Sequence, residues 1–167
     1  MEKVLVTGAT GYIALHCVQQ LLDQGYAVNG SIRSPERKNE VIEALKNSGT
    51  STENLNLYVF DLTNDEGWDD GMEGCDYLLH VASPLALENH TEDYFVKPAV
   101  AGAKRALKFA KKHGVKKVVL TSSVAAIFET GEEKVFYDES DWSDPDNPNI
   151  SNYAKSKTLA EKAAWEF

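Results

Sequence analysis

Residues 3–14 read KVLVTGATGYIA, in which a short apolar run leads directly into a turn with two glycines. The run predicts a β-strand over Lys3–Thr7, and the helical spacing of the apolar residues after it predicts a helix over Tyr12–Gln24. Gly8 permits a tight turn between the two, and Gly11 lets the backbone approach a ligand closely. The N–H groups at the start of the helix favour an anion such as a pyrophosphate. This order of strand, glycine turn and helix therefore predicts a dinucleotide-binding turn.

The remaining sequence alternates between strands and helices in the same way. Further strands are predicted at Tyr26–Ile32, Leu55–Phe60, Asp76–Val81 and Lys117–Thr121. Helices are predicted at Glu36–Lys46, Asp65–Met72, Glu92–His113 and from Ser151 or Asn152 to the end of the chain. Pro98 is expected to kink or delay the long helix. Short apolar strands separated by helices predict an α/β fold, a doubly wound parallel sheet of Rossmann type with strand order 3-2-1-4-5.

The charge balance narrows the classes of partner. Lys and Arg number 17 against 26 Asp and Glu, which gives a net charge of −9, and the sequence has no long basic run. We therefore expect neither nucleic acid nor an anionic membrane as a partner. No apolar stretch reaches membrane-spanning length and the first residues lack a signal-peptide pattern, so the expected location is cytoplasmic. Two separated cysteines and four scattered histidines predict no metal site.

The end of the second predicted strand indicates which dinucleotide binds. A turn that binds NAD usually has Asp or Glu about 20 residues after its glycines, where the acid holds the ribose 2′-hydroxyl. This sequence has GSIRS at residues 30–34 instead. The planar fork of Arg33 can pair with a 2′-phosphate, with support from Ser31, Arg37 or Lys38. NADP is therefore the expected cofactor, and NAD stays an alternative in which Arg33 is a solvated surface charge.

Two further strand ends are expected to adjoin the cofactor. Asp61 and Leu62 follow the third predicted strand and are placed to meet the adenine, with a turn or helix-capping role for Asp61 as the alternative. Val81, Ala82 and Ser83 end the fourth predicted strand. Their small side chains would let the backbone lie along the cofactor, and a plain turn is the alternative.

The residues suited to chemistry follow the fifth predicted strand, which ends in Thr-Ser-Ser at Ser123. Tyr153 comes 30 residues after Ser123, and Lys157 is four residues further, so the two share one face of a helix. A nearby ammonium favours the phenolate, so Tyr153 could give a proton to a developing alkoxide or take one back. A serine hydroxyl at a strand end can bond the same oxygen, while a nicotinamide supplies the hydride.

Taken in this order, the motifs resemble the extended short-chain dehydrogenase/reductase superfamily, and within it the dihydroflavonol 4-reductase-like branch. The matching stretches cover essentially the whole chain: VTGATGYIA, GSIRS, FDL, HVASPL, VVLTSSVAAI, YDESDWSD and YAKSKTLAEKAAW. The resemblance implies an NADPH-dependent aldehyde or ketone reductase with a small-molecule carbonyl or alcohol substrate. In many relatives the helices that match Glu92–His113 and Ser151–Phe167 form a dimer bundle, so a homodimer is left open.

The resemblance also implies roles for individual residues. Ser123 matches the catalytic serine, Tyr153 the catalytic acid/base, which also binds the cofactor, and Lys157 the lysine that also holds the nicotinamide ribose. The remaining matches are to the pyrophosphate turn (Gly8, Gly11, Tyr12 and Ile13), the 2′-phosphate site (Arg33), the adenine site (Asp61 and Leu62) and the stretch beside the cofactor (Val81, Ala82 and Ser83).

Two positions depart from this branch. Plant members have a substrate-binding Asn where this chain has Phe128, which disfavours a flavonoid and favours a microbial-type carbonyl substrate. A second basic residue that often helps to hold the 2′-phosphate falls at Asn39 or Glu40 here. The second departure weakens the case for strict use of NADP.

The ending AEKAAWEF keeps a helical pattern without a stop signal, and the resemblance implies proteins about twice as long. We therefore expect residues 1–167 to be the NAD(P)-binding Rossmann domain of a longer protein, truncated before a C-terminal substrate domain and inactive alone. The alternatives are a nucleotide-sugar epimerase or dehydratase, a hydroxysteroid dehydrogenase and a non-catalytic dinucleotide sensor. YDESDWSD argues against the epimerase and the Tyr–Lys pair against the sensor, whereas the hydroxysteroid dehydrogenase stays open.

Overall fold

The computed structural model describes residues 1–85, 90–131 and 134–167. Within these ranges the strands are β1 (Lys3–Val6), β2 (Ala27–Ile32), β3 (Leu55–Val59), β4 (Tyr77–His80) and β5 (Lys117–Leu120). The helices are α1 (Tyr12–Asp23), α2 (Lys38–Asn47), α3 (Trp68–Met72), α4 (Glu92–Lys112), α5 (Ala125–Phe128) and α6 (Asn152–Trp165), with a 3-10 helix at Pro35–Arg37. All neighbouring strands are parallel, in the order β3-β2-β1-β4-β5. The predicted parallel sheet and its strand order are confirmed.

The chain divides into two compact units. Unit 1 comprises Met1–Ala82 and Ala106–Thr121, and it contains the whole sheet, α1 to α3 and the end of α4. Unit 2 comprises Ser83–Arg105 and Ser122–Phe167, and it contains the start of α4 together with α5 and α6. The glycine turn thus lies in unit 1, and the serine, tyrosine and lysine suited to chemistry lie in unit 2.

Strand β1 is the centre of unit 1 because its side chains are buried on both faces of the sheet. Val4 and Val6 belong to one apolar cluster, and Leu5 between them belongs to another, as the alternation of side chains along a strand requires. The first cluster includes Val18, Val41 and Leu45, and the second includes Trp68, Met72 and Phe109. Burial on both faces explains why the strands read as continuous apolar runs.

Helix α4 begins at Glu92 and continues through Pro98, so the predicted delay of the helix at the proline does not occur. A proline inside a helix removes one backbone hydrogen bond and crowds the preceding turn. In unit 2, Phe95, Ala99 and Ala103 follow one another at four-residue spacing and are all buried. The packing of this face offsets the local cost of the proline.

Two short elements differ from the sequence prediction. The helix predicted over Glu36–Lys46 is a 3-10 helix at Pro35–Arg37 followed by α2. Pro35 occupies the first position of the 3-10 helix, where a missing N–H costs little. Helix α5 was not predicted, because four residues are too few to show a helical period.

Neither a membrane span nor a metal site is found in the described part of the chain. No helix there is both long enough and apolar enough to cross a membrane. The His, Cys, Asp and Glu side chains of the same residues form no group of three or more that could hold a metal ion. Cys17 and Cys75 are free thiols, and burial raises the pKa of Cys75 to about 11.

Trp68 offers a direct test of the packing in unit 1. It is fully buried against the rings of Phe60 and Phe109, and its Nε1–H donates to the carbonyl oxygen of Asp61 at 2.9 Å. Trp68→Phe should lower the free energy of unfolding by about 1–3 kcal/mol, because it leaves a small cavity and an unpaired carbonyl. Urea unfolding followed by far-UV circular dichroism measures this loss.

The matched control is Trp165→Phe, because Trp165 is 79% exposed. This variant should change the free energy of unfolding by less than about 0.5 kcal/mol. Equal losses in the two variants would contradict the packing described for Trp68.

Candidate functional site

The glycine turn between β1 and α1 is held against the ends of two other strands of unit 1. Gly8 has a φ of 73°, in the left-handed region that favours glycine. A β-carbon on Gly8 would lie 3.0 Å from the Cβ of Ala82, which follows β4. On the β2 side, the Gly8 N–H donates to Oγ of Ser31 at 2.8 Å, and the Ala9 N–H donates to the Ser31 carbonyl oxygen at 2.7 Å. The turn therefore lies where β1, β2 and β4 end.

Helix α1 begins without a side-chain cap. Its N-cap residue is Gly11, which has no side-chain oxygen, and the carbonyl oxygen of Gly11 accepts from the Leu15 N–H at 2.9 Å. The N–H groups of Tyr12, Ile13 and Ala14 precede the first hydrogen bond within the helix. The Tyr12 side chain is 81% exposed, so it does not cover this helix start. These N–H groups are suited to bind an anion, as the sequence predicts.

Thr7 fixes the end of β4 beside the turn, a role that the sequence analysis missed. Its Oγ1 accepts hydrogen bonds from the N–H groups of Val81 and Ala82, both at 3.0 Å, and lies 3.0 Å from Nδ1 of His80. Val81 and Ala82 thus adjoin the turn, whereas Ser83 is a half-buried residue of unit 2. The sequence feature that indicates this role is a threonine at the end of a buried strand. A buried hydroxyl needs a hydrogen-bond partner, and the neighbouring strand end can supply one.

Arg33 directly follows β2, two residues after the serine that binds the glycine turn. It is exposed, and within the described ranges it makes no ion pair. Of its predicted helpers, Ser31 uses its hydroxyl oxygen for the Gly8 N–H, and Arg37 is paired with Glu40. Arg33 and Lys38 are therefore the cations at the end of β2 that are open to an added anion.

Asp61 follows β3, and its carboxylate is used within its own turn. Its Oδ1 accepts from the N–H and the hydroxyl of Thr63 at 2.8 and 2.6 Å, and its carbonyl oxygen accepts from Trp68. The turn role that the sequence left as an alternative is therefore present. The adenine role of Asp61 and Leu62 stays a prediction.

Ser123 of unit 2 precedes α5 and accepts two backbone hydrogen bonds. Its Oγ accepts from the Ala125 N–H at 3.2 Å, and its carbonyl oxygen accepts from the Ala126 N–H at 2.9 Å. Both bonds use Ser123 as an acceptor, so they leave its hydroxyl hydrogen for a further partner. The neighbouring Ser122 instead donates its hydroxyl hydrogen to the carboxylate of Glu161 in α6.

The start of α6 is fixed by a cap that joins two segments of unit 2. Ser151 is the N-cap, and its Oγ accepts from the Ala154 N–H at 3.1 Å. Glu129 in turn accepts from the N–H and the hydroxyl of Ser151 at 2.7 and 2.9 Å. A serine cap stabilises a helix by about 1 kcal/mol. The cap sets the position of Tyr153, which lies two residues further along.

Tyr153 and Lys157 share one face of α6, as their spacing predicts. Nζ of Lys157 lies 5.8 Å from the centre of the Tyr153 ring. Lys157 is only 6% exposed, and burial lowers its pKa, which the nearby Glu161 partly offsets. Helix α5, which begins two residues after Ser123, packs on α6. Unit 2 thus places a nearly buried amine with a lowered pKa beside the phenol ring, and groups with shifted pKa values are concentrated at functional sites.

Comparisons with known proteins identify related sequences. The chain matches the NAD dependent epimerase/dehydratase family over residues 4–167. It is 40% identical to vestitone reductase from Medicago sativa and 38% identical to dihydroflavonol 4-reductase from Arabidopsis thaliana. These alignments cover 99% of this chain and 53% and 45% of the relatives. The chain spans about half the length of the curated relatives it matches.

One solved structure is similar over nearly the whole chain. It is yeast methylglyoxal/isovaleraldehyde reductase complexed with NADPH, with a TM-score of 0.84 and 34% identity. The similarity covers 99% of this chain and 52% of the yeast protein. The two proteins are therefore similar in amino-acid sequence as well as in fold.

The burial of Lys157 predicts a pH dependence of stability. Because its folded pKa lies below the unfolded value, the unfolded chain binds more protons between the two values, and this group favours folding increasingly as pH rises. Lys157→Met lacks this gain. Its free energy of unfolding should therefore fall relative to that of the unchanged chain as pH rises from neutral towards 10.5. Urea unfolding at several pH values measures it. Lys117→Met controls for the loss of one charge, and a difference that grows with pH would contradict the account.

Proposed function

The chain belongs to the NAD dependent epimerase/dehydratase family, and we propose that it is the cofactor-binding part of an NADPH-dependent carbonyl reductase. One observation carries the proposal. The glycine turn that leads into the uncapped start of α1 is bonded to Ser31 near the end of β2, where the chain has Arg33 instead of an acid. The relatives support it, since they are named as reductases and the yeast structure contains NADPH.

The residues of unit 1 fit a dinucleotide with a 2′-phosphate. The N–H groups that follow Gly11 bind the pyrophosphate, with Tyr12 and Ile13 at the same helix start. A side chain at Gly8 would collide with Ala82, so the turn needs glycine to lie this close to the end of β4. Arg33 pairs with the 2′-phosphate through its planar guanidinium. NADP is therefore the proposed cofactor, and NAD is the alternative.

The proposed chemistry uses three residues of unit 2. The nicotinamide, when bound, supplies a hydride to the carbonyl carbon. Tyr153 gives its phenolic proton to the carbonyl oxygen, and the Lys157 ammonium stabilises the phenolate that remains. Ser123 donates its hydroxyl hydrogen to the same oxygen. Its Oγ accepts a hydrogen bond from the Ala125 N–H, and this bond leaves the hydroxyl hydrogen available.

The proposed substrate is a small aldehyde or ketone. The names of the relatives favour reduction over the epimerisation or dehydration of a nucleotide sugar. Phe128 at the end of α5 is 46% exposed, and its ring offers apolar contact where a flavonoid reductase is expected to have an amide. A hydroxysteroid dehydrogenase is the remaining alternative, and the homodimer and the cytoplasmic location stay predictions of the sequence.

Calorimetric titration with NADPH and with NADH tests this proposal. NADPH should bind more tightly, and Arg33→Ala should weaken NADPH about 10- to 100-fold, because a charged hydrogen bond to the 2′-phosphate is lost. NADH should change by less than about threefold in the same variant. Lys46→Ala is the control, since it removes an exposed cation from the far end of α2. Equal binding of both nucleotides, or binding of neither, would contradict the proposal.

A second test addresses the proposed acid. Residues 1–167 are expected to be inactive alone, so the assay uses this chain joined to a C-terminal substrate domain of the kind that the sequence predicts. In the reduction of methylglyoxal or isovaleraldehyde, followed by the loss of NADPH absorbance, Tyr153→Phe should lower kcat by about 10²- to 10⁴-fold. The dissociation constant for NADPH should stay within about threefold, because the variant removes only a hydroxyl. Tyr94→Phe is the control, as it removes a hydroxyl from another tyrosine of unit 2. Undiminished turnover in Tyr153→Phe would overturn the role of this residue.

A further inference from the structure

Arg37 ends the 3-10 helix that follows Arg33, and Glu40 of α2 binds one edge of its guanidinium. Nε of Arg37 donates to the two carboxylate oxygens of Glu40 at 3.0 and 3.2 Å, and Nη2 donates to Oε2 at 2.8 Å. The pairing lowers the pKa of Glu40 and raises that of Arg37. The Nε–Nη2 edge of Arg37 is therefore occupied by a carboxylate.

Glu40 is the acid that neutralises a cation at the end of β2. Arg33, Arg37 and Lys38 form a short run of positive charge there, and of these only Arg37 has an ion-pair partner among the described residues. The other acid of this segment, Glu36, is bonded to Ser34, which lowers its pKa. The proposed 2′-phosphate site at Arg33 is therefore followed in the chain by an arginine that is already paired with a carboxylate.

We propose that Glu40 determines cofactor specificity by withholding the Arg37 guanidinium from the 2′-phosphate of NADP. The inference rests on the proposed function, because it needs a 2′-phosphate at Arg33. It assigns Arg37 as the second cation of the phosphate site and Glu40 as the residue that limits the preference for NADPH.

The physical basis is competition for one guanidinium edge. The planar fork of arginine pairs bidentately with either a carboxylate or a phosphate, so the two anions are alternatives at that edge. A phosphate monoester has a charge of about −1.5 to −2 at neutral pH, and an exposed ion pair is weak. Arg37 can therefore exchange partners, but only by breaking its ion pair with Glu40, and this cost weakens its contact with the phosphate.

Glu40→Gln tests the inference with ligands that isolate the 2′-phosphate. Adenosine 2′,5′-bisphosphate and adenosine 5′-monophosphate differ only in that group, and calorimetry gives the dissociation constant of each. Glu40→Gln should raise the preference for the bisphosphate by about three- to tenfold, and the preference for NADPH over NADH by a similar factor. Glu43→Gln is the matched control, since it removes the same charge from the next exposed acid of α2.

The double variant Arg37→Gln/Glu40→Gln identifies the route of the gain. The double variant should show the same preference for the bisphosphate as Arg37→Gln alone, because the guanidinium that Glu40 withholds is absent from both. An unchanged preference in Glu40→Gln, an equal gain in Glu43→Gln, or a gain that persists without Arg37 would overturn the inference. If the unchanged chain does not prefer the bisphosphate over the monophosphate, the proposed NADPH function fails and this inference fails with it.

Discussion

Gly8 packs so closely against the end of β4 that a β-carbon would lie 3.0 Å from the Cβ of Ala82, and its φ of 73° is one that other residues rarely adopt. A second glycine has the same effect on β2, where a β-carbon on Gly30 would lie 2.8 Å from Leu57 and 3.0 Å from Ala9. Both positions need glycine, because a β-carbon at either one would lie 3.0 Å or less from a neighbouring side chain. Unit 1 can therefore bring three strand ends to the uncapped start of α1, and the proposed dinucleotide site follows from that.

Unit 2 buries a lysine side chain, Lys157, at a position where an apolar side chain would pack at lower cost. Lys157 is 6% exposed, and burial lowers its pKa, which shows that its charged form is disfavoured there. An apolar side chain of similar length would avoid this cost. The capped helix start at Ser151 and the contact of Lys157 with the Tyr153 ring instead hold the amine beside the phenol. Perturbed ionisable groups of this kind are concentrated at functional sites, and this supports the proposed role of this helix in the chemistry.

The sequence predicts those features that depend on local pattern. Apolar runs locate the five strands, and the glycine turn and the Tyr153–Lys157 spacing follow from single elements. Pairs between distant segments leave no such pattern, so the bonds from the Val81 N–H to Thr7 and from the Ser122 hydroxyl to Glu161 were not predicted. Helix α5 was missed because it is short, and the continuation of α4 through Pro98 depends on packing that propensity does not include.

A nitrogen-15 NMR titration of the chain with NADPH reports on each backbone amide and shows directly whether the glycine turn binds the cofactor. If the pyrophosphate binds at the helix start of unit 1, the amides of Gly8, Gly11, Tyr12 and Ile13 should show the largest saturable shifts. Adenosine lacks the phosphates and should leave these four amides nearly unchanged. Saturable binding of NADPH that shifts amides elsewhere, with those of the glycine turn unmoved, would contradict the account.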